Sequence, residues 1–81
     1  MPSAPTVFTY NNPAIDYTAA GIKFCSRCNE SCTFAFKSRV ISVDKQGNEI
    51  LIFLTDNQII QLTELNDTAA IYYKIIDEIG N

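Results

Sequence analysis

Beyond residue 20, apolar and polar residues alternate with the two-residue period that is typical of β-strands. The first predicted strand covers residues 21–27, with its apolar positions on one face. The second covers residues 32–43, along which the apolar positions change phase. A β-bulge near residues 37–39 would account for this change, because a bulge inserts one extra residue into a strand. These two segments predict the first hairpin of an antiparallel meander.

The second half of the meander is predicted from two turn signals. Residues 44–48 contain a glycine, which supplies the positive φ of a short hairpin loop. Asp56 and Asn57 tolerate left-handed backbone and predict a two-residue turn. The strand between these turns, residues 49–55, is apolar at odd and even positions, so we expect it to be covered on both faces. Residues 58–63 form the fourth strand.

The C-terminal residues carry the period of an amphipathic helix. Asn66 or Asp67 is the predicted N-cap, and Gly80 is the predicted C-cap. Apolar side chains recur with helical spacing and form a stripe toward the core, which consists of Tyr72, Ile75, Ile76 and Ile79. The predicted fold is a small α+β domain, in which one C-terminal α-helix packs on an antiparallel β-meander of about four strands.

The N-terminal segment differs from the rest, because it holds all three prolines of the chain. Residues 1–20 are predicted to be an extended arm, which precedes a single domain at residues 21–81. A short strand within the arm would dock along a sheet edge, with Val7 and either Phe8 or Tyr10 in pockets of a partner. The arm therefore predicts a partner-binding segment.

The composition is that of a folded domain, with 47% apolar and 19% charged residues among 81. A chain of this length forms one core. It carries neither the charged start and apolar run of a signal peptide nor an apolar stretch long enough to span a bilayer. The expected location is intracellular, in the cytoplasm, without a membrane partner.

The net charge of −3 argues against nucleic acid, since nucleic-acid-binding domains are usually basic. A local basic strip nevertheless spans Lys23, Arg27, Lys37 and Arg39. Single-stranded nucleic acid would bind there if aromatic side chains on the sheet face stacked with its bases. The candidates for that platform are Tyr10, Phe24, Phe34, Phe36 and Phe53.

All three cysteines lie within eight residues, at Cys25, Cys28 and Cys32, and three interpretations of them are open. The C-x2-C spacing suits zinc, with Cys32 as a third ligand and Asp16, Glu30 or a cysteine of another copy as the fourth. A disulfide is the second interpretation, and the length of the loop decides whether Cys25 or Cys28 faces Cys32. Packing as small apolar side chains is the third.

Catalytic chemistry has little support, because the chain has no histidine and no glycine-rich phosphate loop. We therefore expect a non-enzymatic structural or interaction module without a cofactor. It would act by self-association or as a small subunit of a larger assembly, such as a viral particle. Its partners would be further copies of the chain or other proteins. The alternatives are a zinc module organised by the cysteines and a single-stranded nucleic-acid binder.

Overall fold

The computed structural model describes residues 4–28 and 30–80. These residues form two β-sheets, a single turn of 3-10 helix at Lys37–Arg39 and one C-terminal α-helix. The strands are β1 (Thr6–Asn11), β2 (Ala14–Tyr17), β3 (Gly21–Cys25), β4 (Cys32–Phe36), β5 (Val40–Gln46), β6 (Glu49–Leu54) and β7 (Gln58–Thr63), and the helix is α1 (Thr68–Gly80).

The four-stranded sheet has the order β1-β7-β6-β5. Its two hairpins, β5–β6 and β6–β7, are antiparallel and turn at the predicted places, but residues 44–46, predicted as part of the first loop, extend β5 and leave Gly47 and Asn48 as the loop. Gly47 takes a φ of 58° in the first loop, and Asp56 and Asn57 take φ values of 62° and 58° in the second. β1 joins the sheet on the far side of β7 and runs parallel to it.

The three-stranded sheet has the order β2-β3-β4 and is antiparallel. Gly21 starts β3 under β4, where a Cβ atom would lie 2.2 Å from the Ala35 carbonyl oxygen. This close approach of two backbones requires glycine. The hairpin β3–β4 ends with Cys25 directly opposite Cys32.

The α+β class and the C-terminal helix are confirmed, but a single, purely antiparallel meander is wrong. The segment 32–43, predicted as one bulged strand, is two strands that belong to different sheets. The apolar phase changes at Lys37–Arg39 because the chain turns there from one sheet into the other. A register irregularity does occur, slightly later, between Val40 and Ser42. The four-stranded sheet is mixed because β1 is parallel to its neighbour.

Half of the predicted arm, residues 1–20, lies in the sheets. β1 belongs to the four-stranded sheet and β2 to the three-stranded sheet, while residues 1–3 lie outside the described part of the chain. A boundary between an arm and a domain at residue 20 stays a prediction.

One hydrophobic core joins both sheets and the helix. Strand β6 turns one face toward this core, since its even-numbered residues are buried and its odd-numbered residues are half-buried. On α1, Ile75 is fully buried, and Ile71, Tyr72 and Ile79 pack against the core, whereas Ile76 is 41% exposed. The buried apolar residues of the cluster are Tyr10, Ile22, Phe24, Ala35, Ile50, Ile52, Leu54, Ile60, Leu62, Leu65 and Ile75. In the described ranges, 4–28 and 30–80, no helix has the length and apolarity needed to cross a bilayer.

Candidate functional site

The four-stranded sheet has a second face, opposite the core, which we call the outer face. Residues paired across neighbouring strands point to the same side of a sheet, and successive residues alternate. The paired registers assign to this face Val7, Thr9 and Asn11 of β1, Ile59, Gln61 and Thr63 of β7, Glu49, Leu51 and Phe53 of β6, and Ser42, Asp44 and Gln46 of β5. None of these side chains is buried; each is half-buried or exposed.

One end of the outer face is apolar. Val7 is paired with Ile59, and Ile59 is paired with Phe53, so three apolar side chains form a row across β1, β7 and β6. Val7 is 47% exposed, and Ile41 on the neighbouring edge strand is 68% exposed. We call Val7, Ile59, Phe53 and Ile41 the apolar row.

The bulge in β5 explains the exposure of Ile41. The register passes from Val40 opposite Leu54 to Ser42 opposite Phe53, so Ile41 is the extra residue. Val40 packs against the core, and the unpaired Ile41 is left on the surface. A regular strand would have kept the alternation of inward and outward residues.

An open groove of about 530 Å³ lies along this end of the sheet. Its apolar lining comes from Pro5, from Leu54 and from three residues of the apolar row, Ile41, Phe53 and Ile59. Asp56 contributes to the polar lining and forms an ion pair with Arg39, with Nη2 and Oδ2 2.5 Å apart. Both side chains are about half exposed or more, at 49% and 65%, so this ion pair adds little to stability.

The other end of the outer face is polar. Thr9 Oγ1 donates to Gln61 Oε1 at 3.2 Å, and Gln61 Nε2 donates to Glu49 Oε1 at 3.0 Å. These two hydrogen bonds join β1, β7 and β6 in a ladder across the sheet. Asp44 accepts a hydrogen bond from Gln46 Nε2 at 3.0 Å. Glu49 lies two rows from the apolar row and Asp44 lies one row from it, while the exposed Arg39–Asp56 ion pair borders the groove, so a partner can cover the apolar row with these charges left at its rim.

The predicted partner-binding residues of the N-terminal segment lie on opposite sides of β1. Val7 is on the outer face, whereas Phe8 and Tyr10 are paired with the buried residues Ile60 and Leu62 on the core side. Tyr10 is itself buried, and Phe8 packs against the core. Of the three, Val7 alone belongs to the exposed surface described above.

The cysteines form a second cluster, at the end of the β3–β4 hairpin. Cys25 and Cys32 are joined by a disulfide, and Cys28 is a free, exposed thiol. Ser26 Oγ lies 3.5 Å from Cys28 Sγ. This hydrogen bond, together with one from the Glu30 backbone, holds the pKa of the Cys28 thiol below its usual value.

Zinc binding by the three cysteines stays a prediction. Zinc takes thiolates, and the oxidised pair Cys25–Cys32 has none to offer, so such a site would need the reduced protein. Among residues 4–28 and 30–80, no group of three histidine, cysteine or carboxylate side chains is arranged to hold a metal ion. Asp16, a proposed fourth ligand, is paired with Lys23 in the three-stranded sheet.

The four basic residues of the predicted strip lie in three parts of the fold. Lys23 is on β3, Arg27 Nε donates to the Asn12 carbonyl oxygen at 2.6 Å, and Arg39 follows Lys37 in the 3-10 turn. The aromatic residues do not form one platform. Tyr10 and Phe24 are in the core, Phe53 is on the outer face, and Phe34 stacks edge-to-face with Phe36 on the three-stranded sheet. Nucleic-acid binding stays a prediction.

Sequence reasoning did not find Ile41, Ile59 or Pro5 as members of one surface. The signal that was present is the apolar character of β6 at odd positions, which indicated a second face to be covered. The register across four strands was needed to locate that face. Comparisons of the chain with protein-family models, curated proteins and solved structures found no match.

Proposed function

We propose that this protein is a non-enzymatic interaction module that works by self-association, on its own or as a subunit of a larger assembly. The observation that carries the proposal is the apolar row on the outer face. The helix and the three-stranded sheet share a core with the opposite face, so they leave this row in contact with solvent. Exposed apolar clusters of this kind are typical of protein interaction sites.

A second copy of the same face is a suitable cover for the apolar row. Two sheets pack face to face when their apolar side chains interdigitate, and this needs surfaces free of charge at the contact. Val7, Ile59, Phe53 and Ile41 are uncharged, and the Arg39–Asp56 ion pair beside them is exposed enough to stay at the rim of such a contact. The charged Asp44 and Glu49 lie toward the polar end of the face, where they can remain solvated.

The test compares two substitutions of equal exposure. Ile41 and Tyr73 are each 68% exposed, but Ile41 belongs to the apolar row and Tyr73 lies on α1. Burial of one large aliphatic side chain contributes about 1.5–3 kcal/mol, so Ile41→Ser should weaken self-association by roughly tenfold or more. Tyr73→Ser should leave it unchanged.

The measurement is sedimentation equilibrium over a concentration series from micromolar to millimolar. The wild-type protein should show a mass that rises with concentration, and the rise should shift to higher concentration in Ile41→Ser alone. A wild-type protein that stays monomeric throughout the series would contradict the proposal. Equal effects of the two substitutions would show that the apolar row is not the contact.

A further inference from the structure

Strand β1 forms one edge of the four-stranded sheet, and its main chain is open on one side. In a parallel pair, alternate residues direct both the N–H and the C=O toward the partner strand. Thr6 N donates to Asn57 O at 3.0 Å, and Asn12 N donates to Thr63 O at 2.7 Å, so the even-numbered residues face β7. Val7, Thr9 and Asn11 therefore direct their N–H and C=O groups away from the sheet.

These outward groups have no backbone hydrogen-bond partner in residues 4–28 and 30–80. An unpaired strand edge is a template for another strand, and proteins usually blunt it with charges, prolines or bulges. Within its bounds, β1 has the sequence Thr-Val-Phe-Thr-Tyr-Asn, which contains none of these devices. It is rich in the β-branched and aromatic residues that favour strands.

The opposite edge of the same sheet is blunted. Strand β5 contains the register irregularity between Val40 and Ser42, which disturbs the ladder. Lys45 is paired with the buried Ile50, so a charged residue of the edge strand is placed on the core side of the sheet. The Lys45 side chain remains exposed at this edge, and lysines on an edge strand and bulges both prevent edge pairing. The β5 edge is thus protected against the addition of another strand, whereas the β1 edge is not.

We propose that β1 pairs antiparallel with β1 of a second copy of this chain. The pairing joins two four-stranded sheets into one continuous sheet across a twofold axis. It is a contact distinct from the apolar row and does not depend on it, since it is made by the outward main-chain groups of β1, whereas the apolar row, to which Val7 also belongs, consists of side chains on the outer face.

A second copy fits because β1 is complementary to itself when the axis passes through Thr9. In that register Val7 faces Asn11, and the outward groups of these residues and Thr9 form about six interchain hydrogen bonds. On the core side, Phe8 of one copy is opposite Tyr10 of the other; Tyr10 is covered by its own core and Phe8 is half-buried, so no charged group opposes the pairing on this side. The chain has a net charge of −3, but no charged side chain lies on this strand, so the pairing opposes no like charges there.

The test places charges at the position that faces itself. Thr9 is exposed, so Thr9→Asp and Thr9→Lys keep the fold while they place two like charges opposite each other across the axis. Each variant alone should self-associate roughly tenfold more weakly than the wild type. An equimolar mixture should recover the wild-type affinity, since Asp then faces Lys. Circular dichroism and thermal unfolding verify the fold of each variant.

A second variant tests the main chain itself. Thr9→Pro removes an N–H that points away from β7, a position at which edge strands tolerate proline, and should weaken association in the same way. The proposal is overturned if the three variants associate like the wild type, or if the Asp–Lys mixture is as weak as its components. Ile41→Ser separates the two contacts: if it weakens association and the Thr9 variants do not, the apolar row stands and the edge pairing is wrong.

Discussion

The hydroxyl group of Tyr10 lies 2.6 Å from that of Thr33 and links β1 of the four-stranded sheet to β4 of the three-stranded sheet. Ser31 Oγ is a further neighbour of the Tyr10 hydroxyl, at 3.3 Å. Tyr10 is 5% exposed, so its hydroxyl group depends on partners within the protein. The aromatic ring packs in the core while the hydroxyl group connects the two sheets, which explains why β1 is integral to the fold.

Removal of this hydroxyl group should lower stability by a measurable amount. Tyr10→Phe keeps the ring and loses the hydrogen bond, which should reduce the free energy of unfolding by about 1 kcal/mol. Urea unfolding of Tyr10→Phe, Thr33→Val and the double variant forms a mutant cycle. We expect a coupling energy of roughly 0.5–1.5 kcal/mol between the two sites. Strictly additive effects would show that this hydrogen bond does not hold the sheets together.

The close approach of β3 and β4 at Gly21 should make this position intolerant of a side chain. A Cβ atom at residue 21 would lie 2.2 Å from Ala35 O and 2.9 Å from Phe36 Cα, so the strands would have to move apart. Gly21→Ala should destabilise the protein by about 1–3 kcal/mol in urea unfolding. Gly80→Ala, at the last residue of α1, is the matched control, because apart from the helix's own backbone nothing lies within 4 Å of the position that its methyl group would take, and it should change stability by less than about 0.5 kcal/mol. Equal effects at the two sites would contradict the contact.

The disulfide should contribute substantially to the stability of so small a domain. It closes a short loop, with a sequence separation of 7 between Cys25 and Cys32. The loss of chain entropy in the unfolded state gives about 2–3 kcal/mol for a loop of this size. Reduction should therefore lower the midpoint of thermal unfolding by roughly 10–20 °C, and reduction of the Cys28→Ser variant should produce the same decrease.

A thiol titration in denaturant checks the pairing before the thermal experiment. Without reductant, Cys28 alone should react, and after reduction Cys25 and Cys32 should react as well. Reaction of all three cysteines without reductant would contradict the disulfide. Peptide mapping that finds Cys28 bridged to Cys32 would contradict the register of the β3–β4 hairpin.

The free thiol should be reactive at a lower pH than an ordinary cysteine. Hydrogen bonds from the Ser26 side chain and the Glu30 backbone favour the thiolate and lower the pKa of Cys28. Because the thiolate is the nucleophile, the alkylation rate of the oxidised protein should reach its midpoint at a lower pH than that of an unstructured cysteine peptide. Iodoacetamide labelling followed by mass spectrometry measures this profile.

The role of Ser26 in that profile can be isolated by substitution. Ser26→Ala removes the largest cause of the shift, so the midpoint should move to higher pH and the rate at neutral pH should fall. Ser38→Ala, at an exposed serine of the 3-10 turn, should leave the profile unchanged. An unchanged midpoint in Ser26→Ala would show that the loop does not tune this thiol.

The elements that the sequence predicted well are those whose cause is local. The helical stripe that includes Ile75 was predictable, because apolar residues at helical spacing form one face of a helix, and that face packs on the core wherever the helix lies. The β5–β6 hairpin follows from the left-handed backbone that Gly47 adopts. The β6–β7 loop shows the limit of such reasoning. Asp56 and Asn57 are left-handed as expected, but Leu54 is paired with Gln58, so the loop is one residue longer than the predicted two-residue turn.

The choice between Cys25 and Cys28 as the partner of Cys32 was decided by the register of one hairpin. Cys25 and Cys28 both had a sequence spacing that allows a bridge to Cys32, and local propensities do not choose between them. The β3–β4 register, which also opposes Ile22 and Ala35 in the core, places Cys25 opposite Cys32. Burial of the apolar face selected this register, because a slip of one residue would turn every side chain of the strand to the other face.

By itself, the sequence determined the α+β class, the C-terminal helix, the hairpins of β5–β7 and the presence of a second apolar face on β6. The tertiary structure alone decided the division of residues 32–43 between two sheets and the parallel pairing of β1 with β7, in which Thr6 meets Gln58. The physical reason is the range of the interactions. Helix periods and turns depend on neighbours a few residues apart, whereas strand partners far apart in sequence are selected by the core they bury together.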